Sequence, residues 1–219
     1  WNAKMRFGKT LCALELINRL EVKKVMILTH RPTVRSGWFD DYHLIRFNHD
    51  WQYGSKKGKK HAILNDKKNH YEGYVTGKNL ETLQKDLSEK GTHYIYFASM
   101  QDLRGQKITK DENGNVIKRE WKDNNRLVYE TEWDLIIFDE AHEGTQTNLG
   151  QEVIEGLTYN HDPLKLYLSG TPYNILSQFE KKEIFTWDYI MEQKAKEEWE
   201  SKHPGLPNPY EGLAKLNIR

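Results

Sequence analysis

The chain has 219 residues, 37% of them hydrophobic and 30% charged, and its 33 Lys and Arg against 32 Asp and Glu leave a formal net charge of +1. That length suits one domain, or one domain with an insertion, and the near-neutral balance excludes a globally basic nucleic-acid binder, so any such footprint must be local. No apolar run approaches the ~20 residues of a bilayer span, the first residues carry no signal-peptide pattern, and the single Cys12 excludes an intrachain disulfide or a cysteine-based zinc cluster. Cys12 reads as a small buried hydrophobe, and a reducing, cytoplasmic setting with no membrane is expected.

The first stretch, WNAKMRFGKT, ends in Gly8-Lys9-Thr10, the close of a phosphate-binding loop whose usual first glycine is replaced by Ala3. In such a loop backbone N–H groups face phosphate oxygens, the lysine neutralises β/γ charge and the hydroxyl ligates Mg²⁺. LCALELINRL follows with apolar residues at three and four spacings, a helix whose N-terminus would receive the phosphate. Alanine adopts positive φ less readily than glycine, so Ala3 is expected to loosen the turn. Only Trp1 to Met5 stand where a buried strand should precede the loop, so that strand is expected to be lost or cut short and the chain to be a piece of a longer protein.

Val25 to Leu28 is a continuous apolar run, a strand buried on both faces, closed by THRP at Pro32. TVRSGWFDDYH opens a second helical stretch. From about 48 to 93 the chain turns polar and reads as a lysine-rich insertion: six lysines against one aspartate between Ser55 and Asn69, then LETLQKDLSEK with Leu80, Leu83 and Leu87 on one helix face. Lys56, Lys57, Lys59 and Lys60 could touch a phosphate backbone or simply be solvated. Tyr94 to Ala98 returns to strand, and about 106–121 alternates around Asn113-Gly114 as a hairpin. Leu135 to Phe138 is another buried strand, ending in acids, and LKLYLSGTPYN a further one ending in a small-residue turn. The segment from Gln178 to Lys202 is rich in helix formers, with Phe179, Ile184, Phe185, Tyr189 and Ile190 roughly on one side. Strands separated by helical stretches predict a parallel α/β sheet with helices on both faces.

Four motifs therefore fall at strand C-terminal ends, where open α/β sheets bind ligands: Gly8-Lys9-Thr10, Thr29-His30-Arg31-Pro32, Phe138-Asp139-Glu140-Ala141-His142 and Leu168-Ser169-Gly170-Thr171-Pro172. With FASMQDL between the second and third, they resemble motifs I, Ia, Ib, II and III of the superfamily 2 helicases and translocases. MRFGKT, ILTHRPTV, IIFDEAHEG and YLSGTPYN resemble most the motor subunits of type I and type III restriction enzymes.

The resemblance implies a RecA-like P-loop NTPase lobe over residues 1–175, with 176–219 a helical extension and linker toward a second RecA-like lobe. It implies ATP and Mg²⁺ as cofactors, with Met5, Arg6, Phe7, Gly8, Lys9, Thr10, Leu11 and His142 at the nucleotide and Thr10 and Asp139 at the metal. Glu140 would orient and deprotonate the attacking water, with Lys9 and Asp139 completing the catalytic set. His142, Ser169 and Thr171 would couple nucleotide state to the rest of the lobe, and Thr29, Arg31, Ser99 and Gln101 would touch nucleic-acid backbone. The implied partners are nucleic acid, first of all double-stranded DNA, the second lobe, and modification or specificity subunits. Since that lobe supplies the arginine finger, residues 1–219 alone are expected to bind nucleotide weakly and hydrolyse it poorly. An RNA or repair helicase and a non-hydrolysing scaffold of the same fold are the alternatives. Asp111, Glu120 and Lys122 loosely echo a metal-dependent nuclease pattern, a spacing common by chance.

Overall fold

The computed structural model describes residues 1–3, 8–55 and 78–210. Met5, Arg6, Phe7 and the lysines 56, 57, 59 and 60 lie outside the described residues. In chain order the elements are β1 (Asn2–Ala3), α1 (Lys9–Arg19), β2 (Lys24–Thr29), α2 (Arg35–Tyr42), β3 (Trp51–Ser55), α3 (Leu80–Lys90), β4 (His93–Ser99), α4 (Met100–Leu103), β5 (Lys107–Lys110), β6 (Val116–Glu120), α5 (Asp123–Glu130), β7 (Leu135–Asp139), α6 (Ala141–Gly144), α7 (Asn148–Leu157), β8 (Leu164–Tyr167), β9 (Thr186–Trp187) and α8 (Tyr189–Lys202).

Five strands form one parallel sheet in the order β3-β4-β2-β7-β8. The centre is built from the three apolar runs, and because side chains alternate across a strand, each run feeds two cores. Val25, Ile27, Ile95, Phe97, Leu135 and Ile137 pack on one face with Ala13, Leu14 and Ile17 of α1 and Trp38 and Phe39 of α2. Met26, Leu28, Tyr94, Tyr96, Ile136 and Phe138 pack on the other with Leu80 and Leu83 of α3, Val128 and Tyr129 of α5 and Val153 and Leu157 of α7. Each fully buried large apolar side chain contributes about 1.5–3 kcal/mol, so these strands are the rigid frame of the molecule.

One sheet edge differs from the sequence expectation. Trp51–Ser55, inside the polar stretch read as an insertion, pairs with β4 as the outer strand. Its Gly54 lies so close under α3 that an added Cβ would sit 2.3 Å from the Leu83 side chain and 2.7 Å from the Lys78 carbonyl oxygen. The strand before Gly8 is, as expected, cut short, to two residues: Ala3 donates its N–H to the Ser169 carbonyl (3.0 Å), Ser169 donates to the Trp1 carbonyl (3.0 Å), and β1 pairs in parallel with β9. Ala3 is thus extended strand, 0% exposed, and the turn between it and Gly8 lies outside the described residues.

The run from Gln178 is not one helix. A tight turn at Lys181–Glu183 and β9 precede α8, Phe179 packs edge-on to Tyr167 with ring centroids 5.0 Å apart, and Phe185 meets Trp1 at 6.0 Å. Phe185-Thr186-Trp187 has the aromatic and β-branched character of a strand, and β1 offers it a partner. The hairpin of β5 and β6 forms as expected, turning at Asp111–Asn115 with Gly114 at φ 85°.

Candidate nucleotide-binding and coupling site

At the C-terminal ends of β7 and β2, Gly8, Lys9, Thr10, Thr33, Val34, Gly37, Trp38, Asp41, Asp139 and Glu140 line a cleft of about 490 Å³. Gly8 takes a left-handed conformation (φ 87°, ψ 30°) and opens α1 with no side chain to cap the N–H groups of its first turn, which leaves the positive end of the helix facing the cleft. No acidic residue occupies that turn. Leu11 sits in the same turn, half-buried, and Cys12 beside it is half-buried too, its thiol pushed up by that burial. The Lys9 ammonium rests on the Ala3 carbonyl oxygen at 3.2 Å.

Asp139 is 9% exposed, and burial pushes its carboxyl up from the ordinary value, opposed by its hydrogen bonds and by the Lys9 charge. Both oxygens are held: Trp38 Nε1 donates to Oδ2 at 2.8 Å and the Glu140 N–H donates to Oδ1 at 3.0 Å. Glu140 is the only non-glycine at positive φ among the described residues (φ 51°, ψ 47°). A side chain in that region costs about 1–3 kcal/mol. Bonds on both sides hold it there: its own N–H to Asp139, the Ala141 N–H to the Leu168 carbonyl (3.0 Å), and the Glu143 N–H to the Glu140 carbonyl (3.0 Å). An uncapped helix start, an amine, a hydroxyl and two carboxylates in one cleft suit a phosphate chain carrying a hard cation.

One turn on, His142 Nδ1 is 2.8 Å from Ser169 Oγ and 3.5 Å from Glu140 Oε2. Ser169 Oγ also accepts the Thr171 N–H at 3.1 Å, and Asn174 Nδ2 donates to the His142 carbonyl at 2.8 Å. Asp139, Glu140, His142, Ser169 and Thr171 are therefore brought into one continuous network with the cleft.

The residues expected to face nucleic acid divide. Arg31 is exposed and forms a bidentate pair with Glu143 of α6. Gln101 is partly buried and donates to the His30 carbonyl at 2.9 Å. Thr29 and Ser99 are 0% and 1% exposed, and their hydroxyls are engaged within the chain, Thr29 accepting the Arg31 N–H (3.0 Å) and Ser99 capping α4 at Asp102 (3.2 Å). They shape turns rather than present donors at the surface. Asp111 is spent on the hairpin tip, accepting the Asn113 and Asn115 N–H groups, while Glu120 pairs across from Lys107 at the hairpin base. The nuclease echo does not converge, and among the described residues no three His, Cys, Asp or Glu side chains gather to hold a metal.

Glu143 and Asn174 carried no sequence signal, and Trp38 very little. Trp38 and Asp139 are joined across 101 positions of chain, and only a heavy aromatic on a helix beginning beside motif Ia hinted at the first of them.

A parallel sheet with helices on both faces and a cleft at its strand ends is consistent with the RecA-like class of domain. Residues 7–174 match the family described as type III restriction enzyme, res subunit, and the chain belongs to that family, whose domain is helicase-like. It is also 25% identical, over 99% of its length, to a Mycoplasma pneumoniae protein described as the C-terminus of an inferred type II restriction enzyme and methyltransferase. The chain spans 31% of that relative. Among the described residues no helix is long and apolar enough to cross a membrane.

Proposed function

We propose that the chain is the first nucleotide-binding lobe of an ATP-driven translocase that moves on double-stranded DNA within a restriction-modification enzyme. The observation that carries this reading is the convergence of Gly8, Lys9, Thr10, Asp139 and Glu140 on one cleft linked through His142 to Ser169. The family membership and the restriction enzyme and methyltransferase description of the Mycoplasma pneumoniae relative support the setting.

In this reading the first-turn N–H groups of α1 and the Lys9 ammonium bind the β- and γ-phosphates, the amine giving up one neutral carbonyl acceptor for charged oxygens. Bound Mg²⁺ would offset phosphate charge during transfer. Thr10 and Asp139 are the residues to hold it, Asp139 through water. Glu140, fixed in its strained conformation, orients a water for in-line attack and takes its proton. His142 shares Nδ1 contact with Glu140 and Ser169, so a change at the γ-phosphate can be passed to the turn after β8. Arg31 and Gln101, with the lysines at 56, 57, 59 and 60, would meet the phosphate backbone, while Thr29 and Ser99 hold the turns that carry Arg31 and Gln101. A second lobe and modification or specificity subunits complete the enzyme.

The test is steady-state Mg²⁺-dependent ATP hydrolysis by the whole protein alone and with duplex DNA, single-stranded DNA or RNA. Stimulation by duplex DNA, with Glu140→Gln keeping ATP binding and losing turnover by about 10²-fold or more, is expected. Stimulation by RNA alone would move the assignment to an RNA helicase. Nucleotide binding with no turnover, and no effect of Glu140→Gln, would make it a scaffold.

A further inference from the structure

One buried hydrogen bond of the cleft is not used by the nucleotide reading. Trp38 is 1% exposed and packs among the core residues beneath α1 and α2, yet its indole nitrogen leaves that apolar cluster to donate to Asp139 Oδ2 at 2.8 Å. An indole N–H can only donate and an ionised carboxylate can only accept, so the pairing has one sense. With the Glu140 N–H on Oδ1, each carboxylate oxygen carries one protein donor and keeps capacity for one more. Two donors on two oxygens fix the carboxylate's rotation at the mouth of the cleft that Trp38 itself helps to line.

We propose that Trp38 is a positioning residue, whose indole N–H holds Asp139 in the orientation that receives hydrated Mg²⁺ and so ties α2 to the nucleotide cleft. This rests on the ATPase reading above. A purely structural Trp38 would fill volume, which phenylalanine largely preserves. Trp133 supplies the comparison: it is also 1% exposed and its indole also donates, to the Val128 carbonyl at 2.9 Å, but in the other core.

The experiment compares wild type, Trp38→Phe and Trp133→Phe in the whole protein. The readouts are the Mg²⁺ concentration that half-saturates ADP binding, measured by calorimetry, and the same quantity for ATP hydrolysis. Trp38→Phe is expected to raise both about tenfold, the scale of one hydrogen bond to a charged group, with ADP affinity in EDTA unchanged; Trp133→Phe should move neither. A second measurement needs no variant: the Trp38 indole N–H resonance of the wild type, assigned through bonds, should shift on adding Mg²⁺ and ADP but not ADP with EDTA. A Mg²⁺ requirement unchanged in Trp38→Phe, or raised equally in Trp133→Phe, or a Trp38 resonance blind to Mg²⁺, overturns the proposal while leaving the ATPase reading intact. A wild type that binds no nucleotide with Mg²⁺ overturns both.

Discussion

The cleft around Asp139 and the rim formed by Arg31 and Glu143 stand on neighbouring strand ends of the same sheet, yet they hold charge in opposite ways. In the cleft, Asp139 is desolvated with one protein donor on each oxygen, and Glu140 is kept in a left-handed conformation by bonds on either side. On the rim, Arg31 and Glu143 pair in the open, with side chains 55% and 27% exposed, a geometry in which an ion pair contributes about 0–1 kcal/mol. Strain and desolvation are concentrated where the chemistry would occur. On the proposed reading the rim pair would be exchanged for an incoming phosphate at little cost, and the shared α6 turn, carrying both His142 and Glu143, connects the two.

If that connection is real, breaking it should cost the most. His142→Ala removes the side chain that meets both Glu140 and Ser169. It is expected to leave basal ATP hydrolysis within about twofold and to cut DNA-stimulated hydrolysis about tenfold, the scale of a coupling energy between sites. Equal losses in both rates would make His142 part of the chemical step instead.

The rim alone should respond more gently and with opposite signs. Arg31→Ala should weaken duplex DNA binding a few-fold and lower the slope of log affinity against log salt by about 1, as for one lost phosphate contact. Glu143→Gln, which frees Arg31, should strengthen binding at low salt. Binding curves that ignore both changes would place the nucleic-acid path elsewhere on the lobe.

The strain in the cleft can be measured without any ligand. Since glycine enters the left-handed region freely and alanine does not, Glu140→Gly should be more stable than Glu140→Ala by about 1 kcal/mol, or roughly 2–4 °C in melting temperature for a domain of this size. The reverse order would mean that the φ of 51° is not held in solution.

The same contrast separates what was readable in the sequence from what was not. The three central strands stood out because each is apolar on both faces, and the motifs stood out because they close those strands. The His142 and Ser169 contact followed from motif order through the resemblance. β3 was hidden because Trp51-Gln52-Tyr53-Gly54-Ser55 is short, mixed in polarity and contains a glycine, and what makes it a strand is the free edge of β4 and the close approach of α3. β9 was read as helix because its neighbours are helix formers, and its true partner lies at the other end of the chain. Trp38 on Asp139 and Arg31 on Glu143 are single side-chain meetings more than 100 positions apart, with no periodicity to announce them.

The edge where β3 was missed offers the mildest test. Asp86, on the inner side of α3, accepts from Lys78 and from Lys90 at 2.7 Å, and these bonds hold its carboxyl well below the ordinary range. The lysines reach it from solvent, with side chains 43% and 62% exposed, so salt screens part of the effect. A depressed carboxyl stabilises the fold above its unfolded pKa, about 3.9, and that contribution is lost as pH falls through the lower folded value. Asp86→Asn should therefore melt slightly below wild type at pH 7, with the gap closing below about pH 4 and narrowing in 1 M salt. A gap independent of pH and salt would mean that Asp86 matters for packing under β3 and α3 rather than for charge. The outer strand would then be held, like the centre of the sheet, by shape alone.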